Sequence, residues 1–192
     1  MPSMLRLTSL ASAAAAAAAV YAVGRRPPRA RETAARPVNA PTDLPPARTL
    51  AVPGRGEMFF RDAPGRSGED VTILLLHGWI YPADVNWFTC YEALADIGRV
   101  LAPDHRGHGR GLRSPQPFRL ADAADDLAGM LRELGTGPVV AVGYSMGGPL
   151  AQLLWRRHPD LVGAIVLCAT SDTFALTPRD RWVWRGMGAF QV

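Results

Sequence analysis

A serine between two glycines is the first feature of the sequence that could do chemistry. Gly143, Ser145 and Gly147 form the pattern G-x-S-x-G, which follows an apolar run at 138–142. In a sharp strand-to-helix turn the central residue is strained, and side chains on the flanking glycines would collide. Such a turn lifts the serine hydroxyl above the sheet edge and points the next helix's N-terminus at the atom attacked. The pattern predicts that Ser145 is a nucleophile; an ordinary glycine-rich turn is the alternative.

Short apolar runs alternate with amphipathic stretches along residues 49–171, the range that we assign to the folded core. The runs lack polar alternation, as is typical of strands buried on both faces of a sheet. Strands are predicted over 57–61, 71–76, 99–102, 138–142 and 161–167, and helices over 84–97, 120–134 and 146–157. This alternation predicts the α/β class, with a mostly parallel sheet and helices on both faces. Ligands of such sheets bind at the carboxyl ends of the strands, so the residues after each strand are candidates for chemistry.

Two further motifs follow predicted strands. The sequence H-G-W at 77–79 comes after the run 71–76, and D-H-R-G-H-G at 104–109 comes after the run 99–102. With the serine motif they give the order H-G-x, D-x-R-G-x-G, G-x-S-x-G. In this order and spacing the chain resembles the α/β-hydrolase fold family of serine hydrolases, which includes esterases and lipases. The resemblance covers the N-terminal part of that fold.

The resemblance implies a role for each motif. Ser145 would be the nucleophile, and the backbone N–H groups of Trp79 and Met146 would form the oxyanion hole. Five further residues would support these groups by shaping the loops around them: His77, Gly78, Gly143, Gly147 and Asp104.

No metal and no organic cofactor is implied by the resemblance. We interpret His105 and His108 as variable positions of their motif and not as metal ligands. Arg106 is expected to be structural, like Asp104 in the same turn. Cys90 and Cys168 are interpreted as small buried apolar residues and not as a disulfide.

A serine nucleophile needs an adjacent base that is itself oriented by a carboxylate. In the resembled family the acid and then the histidine follow the serine along the chain. His158 is the only histidine after Ser145, and at about 1.5 Å per helical residue it lies about 18 Å away, out of reach. Asp172 is a candidate acid in a minority arrangement only. We therefore expect the acid and base to lie beyond Val192, residues 172–192 to begin a lid, and the C-terminally truncated chain to be inactive by itself.

The positive charge of the chain is concentrated in its N-terminal tail. Residues 1–48 hold seven arginines and two acidic residues, whereas residues 49–192 hold fourteen arginines and fifteen acidic residues. A domain that binds nucleic acid normally carries its own basic face. We therefore expect no nucleic-acid partner.

The first residues, 1–23, form an alanine-rich leader without charge from residue 7 onwards. As a helix, residues 7–23 would span about 26 Å, slightly less than the hydrocarbon layer of about 30 Å. An uncleaved membrane anchor, a signal peptide cleaved near Ala22 and a leader outside the membrane all remain open. A membrane anchor would keep the domain cytoplasmic, because the arginines follow the apolar run. A cleaved signal peptide would give a secreted protein, and a leader outside the membrane would give a cytoplasmic one. Residues 24–48, rich in proline and arginine, are predicted to be an extended linker.

The leading hypothesis is a serine hydrolase that cleaves an ester or related acyl substrate through an acyl-enzyme. The alternatives are a non-catalytic hydrolase-like binding module or inactive fragment, and a cofactor-free perhydrolase or acyltransferase. Serine at position 145 disfavours dehalogenases and epoxide hydrolases, which in the resembled family typically use aspartate. Aromatic residues near the predicted pocket suggest a small-molecule substrate with an apolar group, unless they only pack in the core or lid: Trp79, Tyr81, Trp87, Phe88, Phe174, Trp182 and Trp184.

Overall fold

The computed structural model of the protein describes residues 44–68 and 70–171. The predicted leader, most of the predicted linker and the predicted lid segment 172–192 lie outside these residues and stay predictions. Within the two described ranges, no helix is long and apolar enough to cross a membrane.

Six strands form one sheet with the order β1-β2-β4-β3-β5-β6. The strands are β1 (Ala47–Val52), β2 (Gly56–Ala63), β3 (Thr72–Leu76), β4 (Arg99–Pro103), β5 (Val139–Tyr144) and β6 (Val162–Cys168). The helices are α1 (Ala83–Trp87), α2 (Tyr91–Ala95), α3 (Leu120–Glu133) and α4 (Gly147–Arg157), with a 3₁₀ turn at Pro159–Leu161. β3 to β6 pair in parallel, and β1 and β2 add an antiparallel edge. The predicted α/β class with a mostly parallel sheet is confirmed.

The core lies on both faces of the sheet, as the uninterrupted apolar runs predicted. On β3, Leu74 and Leu76 belong to a buried cluster that includes α3 and α4. The alternate residues Ile73 and Leu75 belong to a second cluster with α1 and α2. Because neighbouring side chains on a strand point to opposite faces, a strand covered on both faces must be apolar throughout.

The helix predicted over 84–97 is wrong as a single element. The chain forms two short helices there, α1 and α2, separated by a turn at 88–90. The backbone N–H of Cys90 donates to the carbonyl of Trp87 at 2.8 Å, which closes this turn. Aromatic residues, threonine and cysteine have low helix propensity, and the run 87–91 consists of nothing else.

β1 was not predicted and begins at Ala47, inside the last two residues of the range assigned to the linker. Most of its residues are exposed, so the strand has no apolar run by which to recognise it. It pairs with β2, which is longer than the predicted strand 57–61 at both ends.

A buried ion pair ties the loop after β4 to α3. Arg106 donates from Nε and Nη2 to the two carboxylate oxygens of Asp126, at 2.6 and 2.8 Å. Arg55 adds a third hydrogen bond to the same carboxylate at 2.9 Å. The Asp126 side chain is 1% exposed and that of Arg106 is 10% exposed. Arg106 therefore connects the loop after β4 to α3, and its expected structural role stays a prediction.

We expect Asp126→Asn to lower the free energy of unfolding by about 3 kcal/mol, because it leaves the buried Arg106 guanidinium without a counter-ion. Urea unfolding of wild type and variant measures this difference. Asp96→Asn is the matched control, since it breaks the exposed pair between Asp96 and Arg66 and should change little. Equal losses in the two variants would contradict the role given to the buried pair.

Candidate active site

Ser145 lies in the turn between β5 and α4, and its backbone φ is 50°. A non-glycine residue in this left-handed region costs about 1 to 3 kcal/mol and persists only where its surroundings hold it. Its N–H donates to the carbonyl of Cys168 at the end of β6, at 3.1 Å. The predicted strand, sharp turn and helix are present at this position, and the serine is half-buried at the carboxyl ends of the strands.

The glycines on either side of Ser145 sit where no side chain fits. A Cβ on Gly143 would lie 2.3 Å from the carbonyl oxygen of Gly147. A Cβ on Gly147 would lie 2.1 Å from the carbonyl oxygen of Leu76. Both neighbours are rigid backbone, so the first turn of α4 can approach β5 and β3 this closely only with glycine at both positions.

The loop after β3 packs directly against Ser145. A Cβ on Gly78 would lie 3.3 Å from the Ser145 Cβ, and 3.2 Å from the ring of Tyr144. The Gly78 N–H donates to Asn86 Oδ1 on α1 at 2.7 Å. Asn86 was not singled out in the sequence, since no local pattern links it to residue 78.

His77 holds the same loop from inside the protein. Its Nε2 accepts the N–H of His105 at 2.9 Å, so Nδ1 carries the proton and donates to the Gly78 carbonyl at 2.7 Å. In a planar trans peptide the carbonyl and the following N–H point in opposite directions. The bond from His77 therefore sets the direction of the Trp79 N–H, one of the two predicted oxyanion donors.

The imidazoles of His77 and His105 stack with their centroids 3.8 Å apart. Burial lowers the pKa of His77 to about 4 and places the pKa of His105 well below its ordinary value. His105 Nε2 donates to the His77 carbonyl at 3.2 Å, and its buried Nδ1 has no partner among the described residues. Both rings are thus neutral at physiological pH, and no cluster of metal-binding side chains occurs within residues 44–68 and 70–171.

Asp104 ties the loop after β4 to the start of α1. Its carboxylate is fully buried and accepts the N–H groups of Ala83 at 2.8 Å and of Arg110 at 2.9 Å. The side chain of Arg110 adds a bond at 3.2 Å. With all these partners the carboxylate is a structural anchor of the two loops.

His158 ends α4, remote from Ser145. Its N–H donates to the Leu154 carbonyl at 2.8 Å, and its Nε2 lies 2.9 Å from Asp125 Oδ1. In the described part of the chain, no histidine or carboxylate side chain is hydrogen bonded to the Ser145 hydroxyl. The candidate acid Asp172 lies outside that part. Cys90 and Cys168 are free and partly exposed, less buried than the sequence analysis expected.

Exposed apolar side chains occur next to Ser145 in the chain, at Tyr144, and in the segment 80–88 that follows the Gly78 loop. Of the aromatic residues singled out in the sequence, Tyr81 is 53% and Phe88 is 41% exposed, whereas Trp87 is buried. Trp87 packs edge-on against Tyr144, with ring centroids 6.4 Å apart. The structure adds Ile80, Val85 and Tyr144 to the exposed set. Phe174, Trp182 and Trp184 are outside the described residues.

A family model described as alpha/beta hydrolase fold matches residues 71–186 of the chain, well over half of its length. The chain belongs to the α/β-hydrolase fold family. The resemblance expected from the three motifs is confirmed.

Relatives within the α/β-hydrolase family are named for different substrates. The sn-1-specific diacylglycerol lipase ABHD11 of Mus musculus is 38% identical over 97 residues, which cover 50% of this chain and 31% of that protein. A thermophilic esterase from Thermogutta terrifontis has a TM-score of 0.59 and 31% identity, covering 70% of this chain and 48% of the esterase. An epoxide hydrolase from an endophytic Streptomyces has a TM-score of 0.56 and 27% identity, covering 64% of this chain and 36% of the epoxide hydrolase. The chain thus spans about a third of the mouse lipase and about half of the esterase.

Gly147→Ala is expected to lower the free energy of unfolding by about 2 kcal/mol or more, since its methyl group would meet a rigid backbone carbonyl. Gly137→Ala is the matched control, because a Cβ there meets nothing within 4 Å. Chemical unfolding of the two variants measures the difference. A Gly147→Ala variant as stable as the control would contradict the close approach of α4 to β3.

The neutral histidines predict a loss of stability in mild acid. Since burial lowers the pKa of His77 to about 4, the unfolded chain takes up a proton between about pH 6.5 and pH 4 that the folded chain does not. The free energy of unfolding should therefore fall, by up to about 3 kcal/mol for this group, as the pH drops through that window. Urea unfolding from pH 7.5 to pH 4.5 measures the slope, which should be shallower in His77→Asn. Identical slopes in the wild type and in His77→Asn would contradict the lowered pKa of His77 as a cause of the loss of stability.

Proposed function

We propose that this chain carries the nucleophile and the oxyanion donors of a serine hydrolase that cleaves an ester or related acyl bond. The observation that carries the proposal is the left-handed backbone of Ser145 (φ 50°) between β5 and α4, beside the loop after β3. A strained serine in a turn from a strand into a helix, with its hydroxyl above the sheet edge, is the arrangement of the nucleophile in serine hydrolases of this fold.

In the proposed reaction Ser145 Oγ attacks the acyl carbon and its proton passes to a base. The carbonyl oxygen becomes an oxyanion, which accepts hydrogen bonds from the N–H groups of Met146 and Trp79. The Met146 N–H belongs to the N-terminal end of α4, where N–H groups lack intrahelical acceptors and the helix dipole favours negative charge. The alcohol or other leaving group departs with a proton, and water then releases the acyl group from Ser145.

The base for this reaction is proposed to come from outside the described residues. Among those residues, His77, His105 and His108 are engaged with backbone groups of the loops, and His158 is paired with Asp125. The histidine that accepts the proton, and the acid that orients this histidine, are therefore to be sought in the rest of the protein or in a longer reading frame through this chain.

The substrate is proposed to be a small molecule with an apolar group next to the acyl bond. Tyr144, which precedes Ser145 in the chain, is 40% exposed and supports this, as do Tyr81 and Phe88, which follow the Gly78 loop in the sequence and are 53% and 41% exposed. Aromatic surfaces of this kind stabilise apolar ligand groups by burying them. The names lipase and esterase among the relatives fit an acyl substrate, and serine at position 145 favours it over an epoxide.

Attachment of the protein to a membrane through residues 7–23 is likewise a proposal, supported by the absence of charge in that run. Its test is independent of catalysis: fractionation of cells that express the protein with and without residues 1–23.

A fluorophosphonate probe tests the proposed function. The chain, and the longest reading frame through it, are treated with the probe, and the site of labelling is mapped by mass spectrometry. We expect labelling of the longer form on Ser145 that falls to background in Ser145→Ala. Ser114→Ala, in an exposed loop, is the matched control and should label like the wild type.

The possible results separate the competing functions. Absence of labelling in both forms would contradict the hydrolase and favour a non-catalytic hydrolase-like module. If Ser145 labels, incubation of an ester substrate with added alcohol or hydrogen peroxide distinguishes hydrolysis from acyl transfer and perhydrolysis by the product formed.

A further inference from the structure

The segment that follows β6 contacts the Ser145 turn through a threonine. Thr170 Oγ1 donates to the carbonyl oxygen of Ser145 at 2.5 Å, while the Ser145 N–H donates to the Cys168 carbonyl at 3.1 Å. The backbone at residue 145 is therefore held on both sides, by the last residue of β6 and by Thr170 in the turn that follows β6. β5 and β6 run parallel with Tyr144 opposite Cys168, so the two strand ends lie side by side.

The backbone after β6 makes a turn of its own that brings Thr170 over the serine. Ala169 has a φ of 43°, so it is left-handed like Ser145. A Cβ on Gly148 would lie 2.2 Å from Thr170 Oγ1 and 2.4 Å from its Cγ2. Gly148 is not part of the G-x-S-x-G pattern, and the room it leaves is filled by the Thr170 side chain.

The bond from Thr170 acts on the peptide unit that carries a proposed oxyanion donor. The Ser145 carbonyl and the Met146 N–H belong to one planar peptide, in which the two groups point in opposite directions. The Ser145 carbonyl also accepts the Gly148 N–H at 3.0 Å. With two donors fixing the oxygen, the Met146 N–H has one direction, and a hydrogen bond to the carbonyl also polarises the N–H.

We propose that Thr170 is a positioning residue, which aims the Met146 N–H at the oxyanion and holds Ser145 in its left-handed conformation. The proposal rests on the proposed function of Ser145. His77 acts in the corresponding way on the peptide of Trp79, so each proposed donor has a side chain bonded to the carbonyl behind it.

Thr170→Val removes the hydroxyl and keeps the shape of the side chain. In the longest reading frame through the chain, we expect the maximal rate of fluorophosphonate labelling to fall about tenfold or more, since small misplacements of a reacting group have effects of this size. The half-saturating probe concentration should change little, because binding of the probe does not need the hydroxyl. Thr170→Ser keeps the hydroxyl and should restore most of the rate.

Thr136→Val is the matched control, since Thr136 Oγ1 also donates to a backbone carbonyl, that of Leu131, but at the end of α3. It should label like the wild type at a temperature well below the melting points of all variants. Hydrogen exchange of a peptide covering 143–149 gives a readout that needs no catalysis. It should be at least about threefold faster in Thr170→Val and unchanged in Thr136→Val.

The two readouts separate failure of this proposal from failure of the proposed function. If neither the chain nor the longest reading frame through it labels with the wild-type sequence, the proposed function fails, and exchange alone decides whether Thr170 holds the turn. If the wild type labels, a Thr170→Val rate within about twofold of it overturns the proposal. Unchanged exchange in Thr170→Val overturns it in either case, whereas faster exchange with a rate rescued by Thr170→Ser supports it.

Discussion

The close contact between Gly147 and the backbone at the end of β3 is the constraint on which the candidate site depends. β3 and β5 are parallel neighbours with Leu76 opposite Gly143, so their following loops leave the sheet side by side. The missing side chain at position 147 then lets α4 begin directly against the Leu76 carbonyl. Ser145 and the loop at Gly78 are brought together as a consequence, from segments that are far apart in the sequence.

Buried polar bonds hold the loops around Ser145, in addition to apolar packing. Asp104 anchors two loops by backbone N–H groups, Arg106 is fixed by Asp126, and His77 is bonded to backbone on both ring nitrogens. The proposed oxyanion donors cannot be covered by side chains on the side that faces the substrate. The side chains that fix their direction therefore have to lie on the opposite side of the peptide. A buried polar group that is fully bonded supplies such support and costs stability when its partner is lost.

The sequence predicted the elements that carry long apolar runs. β3, β5, α3 and α4 lie within two residues of their predicted bounds, because a strand buried on both faces and an amphipathic helix have distinct patterns. β1 was not predicted, because its residues are mostly exposed and form no apolar run. Thr170 and Asn86 could not be linked to the site from sequence, since their contacts arise from strand register and helix placement. The motif residues were found because their spacing is local.

The scaffold constrains the proposed nucleophile more than it constrains the proposed reaction. The loop at Gly78, the first turn of α4 and the end of β6 all contact residue 145 or its peptide. A group that takes the proton from a serine there has to reach the hydroxyl from the side that these segments leave open. An aspartate at the same position would attack as its carboxylate and would need no such base for the attack. With serine at position 145, the proposed attack therefore requires a base from outside the described residues, whereas the scaffold sets no comparable requirement on the identity of the substrate.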